Sequence, residues 1–305
     1  MLITSSLFII GLIGLWKSSD WLVDSGTAIA KYYQVSPLII GLSLVAFGTS
    51  APELMINIMA SMNQQPEIVW GNVLGSNIAN TTLILGLTAI ITPLCFKPLR
   101  QTAILVAHTL PPLGLAVCIM INPTLGPSAG CALLLILTGY LVLLSRNNQL
   151  PTDSEPGPPQ LGPYLALFTF ACIALPSFSY LVVTQATALA LFMGIPELII
   201  SLFFVSLGSS LPELVTCINA AIKRNADMVL GNIIGSNVFN IACVLGISCS
   251  IQPIAWQSKL SLEGAFVLGL PIALWLFSRY ATHMNRWAGS GLAFLYIAYI
   301  AYYLA

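Results

Sequence analysis

The chain has 305 residues, of which 57% are hydrophobic and only 7% charged, against about 25% charged in an ordinary soluble domain. So few charges exclude a water-facing surface of this size, and ten Lys+Arg balanced by ten Asp+Glu leave no basic face for nucleic acid. The seven cysteines lie in or beside apolar segments without metal-ligand or disulfide spacing, which sets aside a zinc site or a disulfide framework.

In chain order, apolar runs bounded by polar or Gly/Pro punctuation predict ten membrane-spanning helices, at 3–30, 36–62, 66–93, 101–121, 126–145, 162–191, 195–222, 226–252, 260–279 and 286–304. A helix needs about 20 residues to cross the hydrocarbon core. The first run, from Met1 to Gly14, lacks a basic leader and a small-residue cleavage site, so it is read as a span and not as a signal peptide. Lys17 lies in the first span near Asp20 and Asp24, where pairing lowers the cost of burying its charge. The second and seventh spans contain G-[TS]-S-x-P-E, from Gly48 to Glu53 and from Gly208 to Glu213. The third and eighth contain G-N-x-x-G-S-N-x-x-N, from Gly71 to Asn80 and from Gly231 to Asn240. His108 in the fourth span and His283 near a loop have no partner at ligand spacing and are assigned to packing or the interface. Trp16, Trp21, Trp70, Trp256 and Trp287 mostly fall near span ends, as interfacial aromatic residues do. Residues 147–162, NNQLPTDSEPGPPQLG, have the composition of a linker. The chain thus divides into a five-helix unit over 1–146, a short cytoplasmic linker over 147–161 and a second five-helix unit over 162–305.

With the N-terminus outside, Lys31, Lys97, Arg100, Arg146, Lys223, Arg224, Arg279 and Arg286 lie in inner loops and only Lys259 in an outer one. That is the bias cytoplasmic loops carry. The expectation is a multi-pass, all-α protein of the cell membrane (plasma or inner) with both termini outside.

The segment from Gly41 to Gly86 aligns without a gap to that from Ser201 to Gly246, an offset of 160 residues. Identities include Pro52/Pro212, Glu53/Glu213, Gly75/Gly235, Ser76/Ser236, Asn77/Asn237 and Asn80/Asn240; they favour polar and glycine positions, so shared hydrophobicity does not produce them. Five spans separate equivalent points, and an odd number makes the second copy enter from the opposite side. Two inverted five-helix repeats are therefore expected, as in secondary transporters.

Proline removes a backbone donor and crowds the carbonyl four residues back, so each G-[TS]-S-x-P-E segment is predicted to kink its helix and free carbonyls near 46–49 and 206–209. At membrane depth protein, water or an ion has to meet such oxygens. Glu53 and Glu213 sit beside them with no basic residue in either motif. A carboxylate there costs a few kcal/mol unless paired, and a bound cation is the natural partner. Asn72, Ser76 and Asn80 are four apart, as are Asn232, Ser236 and Asn240, so each set shares a helix face. These oxygen donors suit calcium, sodium or similar hard cations and do not suit zinc or copper. Gly71, Gly75, Gly231 and Gly235 are read as packing positions. Asn77 and Asn237 serve either helix–helix bonding or the site, and Glu67 and Asp227 either an entrance or solvated turns.

These motifs resemble the two alpha-repeats of the sodium/calcium exchanger family, within the cation/calcium antiporter superfamily, and the short linker resembles its compact prokaryotic members. The resemblance implies a secondary active antiporter, not an enzyme, that exchanges calcium for sodium by alternating access, the first and sixth spans sliding against the core. It implies Glu53 and Glu213 as central carboxylates, with hydroxyl or carbonyl oxygens from Thr49, Ser50, Ser209 and Ser210. It further implies backbone oxygens from Ala46 and Ser206, hydroxyls from Ser76 and Ser236, and an amide from Asn80, with Asn240 at the matching position. Many members carry Asp there, and the potassium-dependent branch resembles an Asp/Asp arrangement, so Asn80 and Asn240 disfavour potassium dependence.

The alternative is a proton/calcium exchanger of the same superfamily, whose motif usually has Gly-Asn before the acidic residue in place of Gly-Thr-Ser and Gly-Ser-Ser. A non-transport membrane enzyme or receptor is a third reading, but the sequence has no His-Glu metal motif, no nucleophile with its base and no signalling domain. No cofactor is expected beyond the transported calcium and sodium. The expected partners are these ions and the lipid bilayer, with no nucleic acid and no obligate protein partner.

Overall fold

The computed structural model describes residues 2–95, 98–146, 158, 160–194 and 208–304. Ser206, most of the 147–161 linker and the first half of the seventh predicted span lie outside the described residues. The first span is α1 (Leu2–Tyr32). The second is broken beside Pro52, where α2 (Pro37–Thr49) and α3 (Ala51–Met62) meet at 45°. Pro52 lies in the first turn of α3, where a missing N–H loses no helical bond. Then come α4 (Pro66–Ile91), β1 (Leu94–Cys95), α5 (Pro98–Ile121), β2 (Thr124–Leu125) and α6 (Pro127–Arg146). The second half supplies α7 (Gly162–Phe192), α8 (Leu211–Ile222), α9 (Ala226–Ile251) and β3 (Ile254–Ala255). It ends with α10 (Ser261–Tyr280), β4 (His283–Met284) and α11 (Arg286–Leu304).

Among the described residues six helices are long and apolar enough to cross a membrane, or seven with α2 and α3 as one broken span. Met120, Leu135, Ile173 and Phe294 project from the outer helices as exposed apolar side chains, a surface that water penalises and lipid does not.

α1 and α7 run antiparallel along each other: Gly11 faces Val182, Gly14 faces Phe178, and the Trp21 and Phe170 rings lie 5.7 Å apart. α9 is buried from Met228 to Gly246 and meets α2 backbone to backbone. A Cβ on Gly231 would come 2.5 Å from the Leu38 carbonyl, and one on Gly235 2.7 Å from the Leu42 carbonyl. Both glycines are packing positions.

Among the described residues two short strand pairs join the halves, Leu94 of β1 opposite Met284 of β4 and Leu125 of β2 opposite Ile254 of β3. Leu94 and Ile254 are 160 residues apart, and Leu125 and Met284 are 159 apart, so exchanging the halves turns one pairing into the other. The close approaches of Gly86 to Gly289 and of Gly130 to Gly246 obey the same exchange. Among the described residues three stretches wind as π-helix, Gly41–Val45, Asn80–Ile84 and Phe239–Leu245. Such turns locally widen a helix and occur frequently at functional sites; Asn80 and Asn240 lie in the two equivalent ones.

Two expectations need correction. Asp20 and Asp24 pair with Lys223, at 2.6 and 2.5 Å, and not with Lys17, because the turn after α8 folds back onto α1. Trp70 is not interfacial: it is fully buried, donates its indole N–H to the Ala255 carbonyl at 2.9 Å and meets the Trp256 ring at 5.0 Å.

Candidate cation-binding site

The break between α2 and α3 presents Thr49, Ser50 and Glu53 together, and Ser209, Ser210 and Glu213 occupy the equivalent start of α8. α4 contributes Ser76 and Asn80, and α9 contributes Ser236 and Asn240. All ten side chains are buried, with Glu53 1% and Glu213 0% exposed, and Ala46 is buried beside them.

The halves are interleaved. Ser50 donates its hydroxyl to Oε1 of Glu213 at 3.0 Å, and Ser210 donates to Oε1 of Glu53 at 3.4 Å. Ser236 also donates to Oε1 of Glu213, at 3.4 Å. Each carboxylate therefore has one oxygen held from the opposite half. The other oxygen of each is buried with no hydrogen-bond partner, as are Ser76 Oγ, Asn80 Oδ1 and both polar atoms of the Asn240 amide. A buried polar atom left unpaired costs about 1–3 kcal/mol, and here five such oxygens come from four helices. Among the described residues there is no cluster of three or more His, Cys, Asp or Glu. What the arrangement offers a metal is two carboxylates and neutral oxygens, a donor set for hard cations.

Of the backbone oxygens expected to be freed, that of Ala46 keeps its helical bond and that of Gly208 is met by a side-chain hydroxyl. Ala46 O accepts the Ser50 N–H at 3.0 Å and the Thr49 hydroxyl at 3.3 Å. The Gly208 carbonyl, four residues before Pro212, accepts the Ser179 hydroxyl of α7 at 3.0 Å.

Behind these lies a layer of amides. Thr49 donates to Asn232 Oδ1 and Ser209 to Asn72 Oδ1, both at 3.1 Å. Asn80 Nδ2 donates to Asn237 Oδ1 at 3.1 Å, and Asn237 Nδ2 to Thr81 Oγ1 at 2.7 Å. Asn77 Nδ2 bonds back to the Val73 carbonyl at 2.7 Å, so Asn77 and Asn237 act in bonding within and between helices. Sequence reasoning passed over Thr81 and Asn57. Asn57, four residues after Glu53, carried the signal of a shared helix face; Thr81 carried none. His108 is buried in α5 with neither ring nitrogen bonded, and His283 is exposed beside the Thr282 hydroxyl at 3.1 Å; neither hydrogen-bonds to the site.

Comparison with known proteins agrees with this geometry. The chain is 34% identical to the inner membrane protein YrbG of Escherichia coli K12, over 83% of this chain and 81% of that one. It is 30% identical to the sodium/calcium exchanger MaX1 of Methanosarcina acetivorans, over 96% of both chains. A solved structure of the sodium-calcium exchanger NCX_Mj superposes with a TM-score of 0.87 at 31% identity, covering 99% of each chain. The model of the sodium/calcium exchanger protein family matches residues 4–146 and 163–305. The chain therefore belongs to the sodium/calcium exchanger protein family, as a multi-pass membrane protein of the cation/calcium antiporter type and not an enzyme.

Proposed function

We propose that the protein exchanges calcium for sodium across the cell membrane by alternating access, with Glu53 and Glu213 as central ligands for both ions. The observation that carries this reading is the pair of buried carboxylates, each tied through one oxygen to the opposite half and unbonded at the other. Thr49, Ser50, Ser76, Asn80, Ser209, Ser210, Ser236 and Asn240 complete the cage, with Ala46 and Ser206 adding backbone oxygens. Ionised, the two glutamates carry a charge that one calcium or two sodium ions neutralise, so the loads exclude each other. Similarity to MaX1 and NCX_Mj supports these two ions, and the hydroxyls of both G-[TS]-S-x-P-E motifs favour sodium over proton coupling.

The same reading has ten spans in two inverted units, 1–146 and 162–305, with the 147–161 linker in the cytoplasm and both termini outside. The antiparallel run of α1 against its repeat equivalent α7 supports inversion. The strand pairs support it too. With ten spans, six separate β1 from β4 and four separate β2 from β3, and even numbers leave each pair on one side of the membrane.

The test is uptake of radiolabelled calcium into proteoliposomes loaded with sodium, potassium or acidic buffer. Uptake should follow internal sodium, without potassium, and should vanish in E53Q and E213Q, which keep the side-chain shape and lose the charge. Uptake driven by acid alone, or near-normal exchange by either folded variant, overturns the reading.

A further inference from the structure

The amides of Asn72 and Asn232 are each held in one sense by a residue of the same repeat. Asn72 Nδ2 donates to Asn57 Oδ1 at 2.7 Å and to the Glu53 carbonyl at 3.3 Å, which leaves its carbonyl end to accept the Ser209 hydroxyl at 3.1 Å. In the other half Asn232 Nδ2 donates to Cys217 Sγ at 3.3 Å, and its carbonyl end accepts the Thr49 hydroxyl at 3.1 Å. Asn57 and Cys217 are repeat equivalents, both 0% exposed and both one turn beyond a glutamate. Each is tethered in turn by donating to the carbonyl of another equivalent pair, Val69 at 3.5 Å and Val229 at 3.9 Å. One arrangement is thus built twice, from different atoms.

A carboxamide has a donor end and an acceptor end, and a hydroxyl has one proton and two lone pairs. With the acceptor end turned toward Thr49 or Ser209, the hydroxyl proton is drawn off to the amide, at Thr49 in company with the more distant Ala46 carbonyl, and lone pairs are left for a cation. Turned round, the amide would donate to the hydroxyl oxygen and leave its proton to point at the cation. We infer that Asn57 and Cys217 are positioning residues, which fix the Asn72 and Asn232 amides so that Ser209 and Thr49 present lone pairs to the transported cation. The inference rests on the proposed role of those two hydroxyls. It also makes the halves unequal, because an amide oxygen at 2.7 Å is a stronger acceptor than a sulfur at 3.3 Å. The Thr49 half is the softer.

Cys217→Ala removes the acceptor, and Cys217→Ser replaces it with an oxygen on a side chain of nearly the same size. The calcium concentration giving half-maximal exchange should rise about tenfold in C217A, the usual scale for losing an outer partner of a metal ligand. It should return to the wild-type value or below in C217S, with the maximal rate changing less than the half-saturation. N57A should show a rise at least as large. Because Cys217 acts through one amide, adding C217A to N232A should cost nothing more. Melting temperature without calcium reports packing damage separately. Unchanged half-saturation in both C217A and N57A, equal losses in C217A and C217S, or additive losses in the C217A/N232A double variant overturn the inference. E53Q run alongside separates the two levels. If E53Q is dead while C217A and N57A both behave as wild type, only the positioning role fails; an active E53Q removes the site and this inference with it.

Discussion

Asn240 is fully buried and neither end of its amide is bonded, whereas its repeat equivalent Asn80 keeps one end tied to Asn237. In the proposed cage a neutral amide at this position would add oxygen without adding charge. In Asn240→Asp the cage would hold three carboxylates, and like charges within about 4–6 Å disfavour one another's ionised form. A proton or a further cation then has to neutralise the third. Calcium flux in N240D should therefore respond to pH near neutrality, or to potassium, while the wild type should need no potassium. Sodium-driven flux of both proteins, with and without potassium over a range of pH, makes the comparison; indistinguishable profiles mean Asn240 does not face the ions. At this scale the glutamates were legible, because a charge duplicated within an apolar run stands out. Cys217 was not, because a buried thiol in a helix looks like packing, and Asn57 showed only in sharing a helix face with Glu53.

Between elements, the contact of α9 with α2 admits no side chain. A Cβ at Gly231 would lie 2.5 Å from the Leu38 carbonyl and 2.9 Å from Gly41 Cα, both backbone atoms that cannot rotate aside. In Gly231→Ala, overpacking of about 1–3 kcal/mol should outweigh the roughly 0.5–1 kcal/mol that alanine gains over glycine inside a helix. Gly269 in α10 has nothing within 4 Å of such a Cβ, so Gly269→Ala keeps the gain alone. Thermal unfolding in detergent should rank G231A below wild type and G269A level with it or above. Equal melting of the two variants would remove the backbone contact from the account. The break between α2 and α3 was readable from Pro52 alone, whereas the partner of Gly231 was not, since a glycine in a span does not say which helix approaches it.

For the molecule as a whole, the proposed orientation, argued from the eight-to-one bias of basic residues, has the linker inside and the loop before α10 outside. In a background without the native cysteines, S154C should react with an impermeant thiol reagent only from the cytoplasmic face and Q257C only from the external face. The opposite pattern reverses the orientation. The sequence by itself determined the membrane environment, the repeat, the kink at Pro52 and the two glutamates that mark the candidate site. Composition, period and residues adjacent in the chain carry that information. Only the tertiary structure decided that Ser50 serves Glu213 while Ser210 serves Glu53, 163 and 157 residues away. It alone decided that Asp20 and Asp24 hold Lys223 and that Trp70 belongs to the core. The physical reason is that hydrophobic periodicity states which face of a helix is buried, while the partner of a polar group on that face is set by how the helices of the two halves pack.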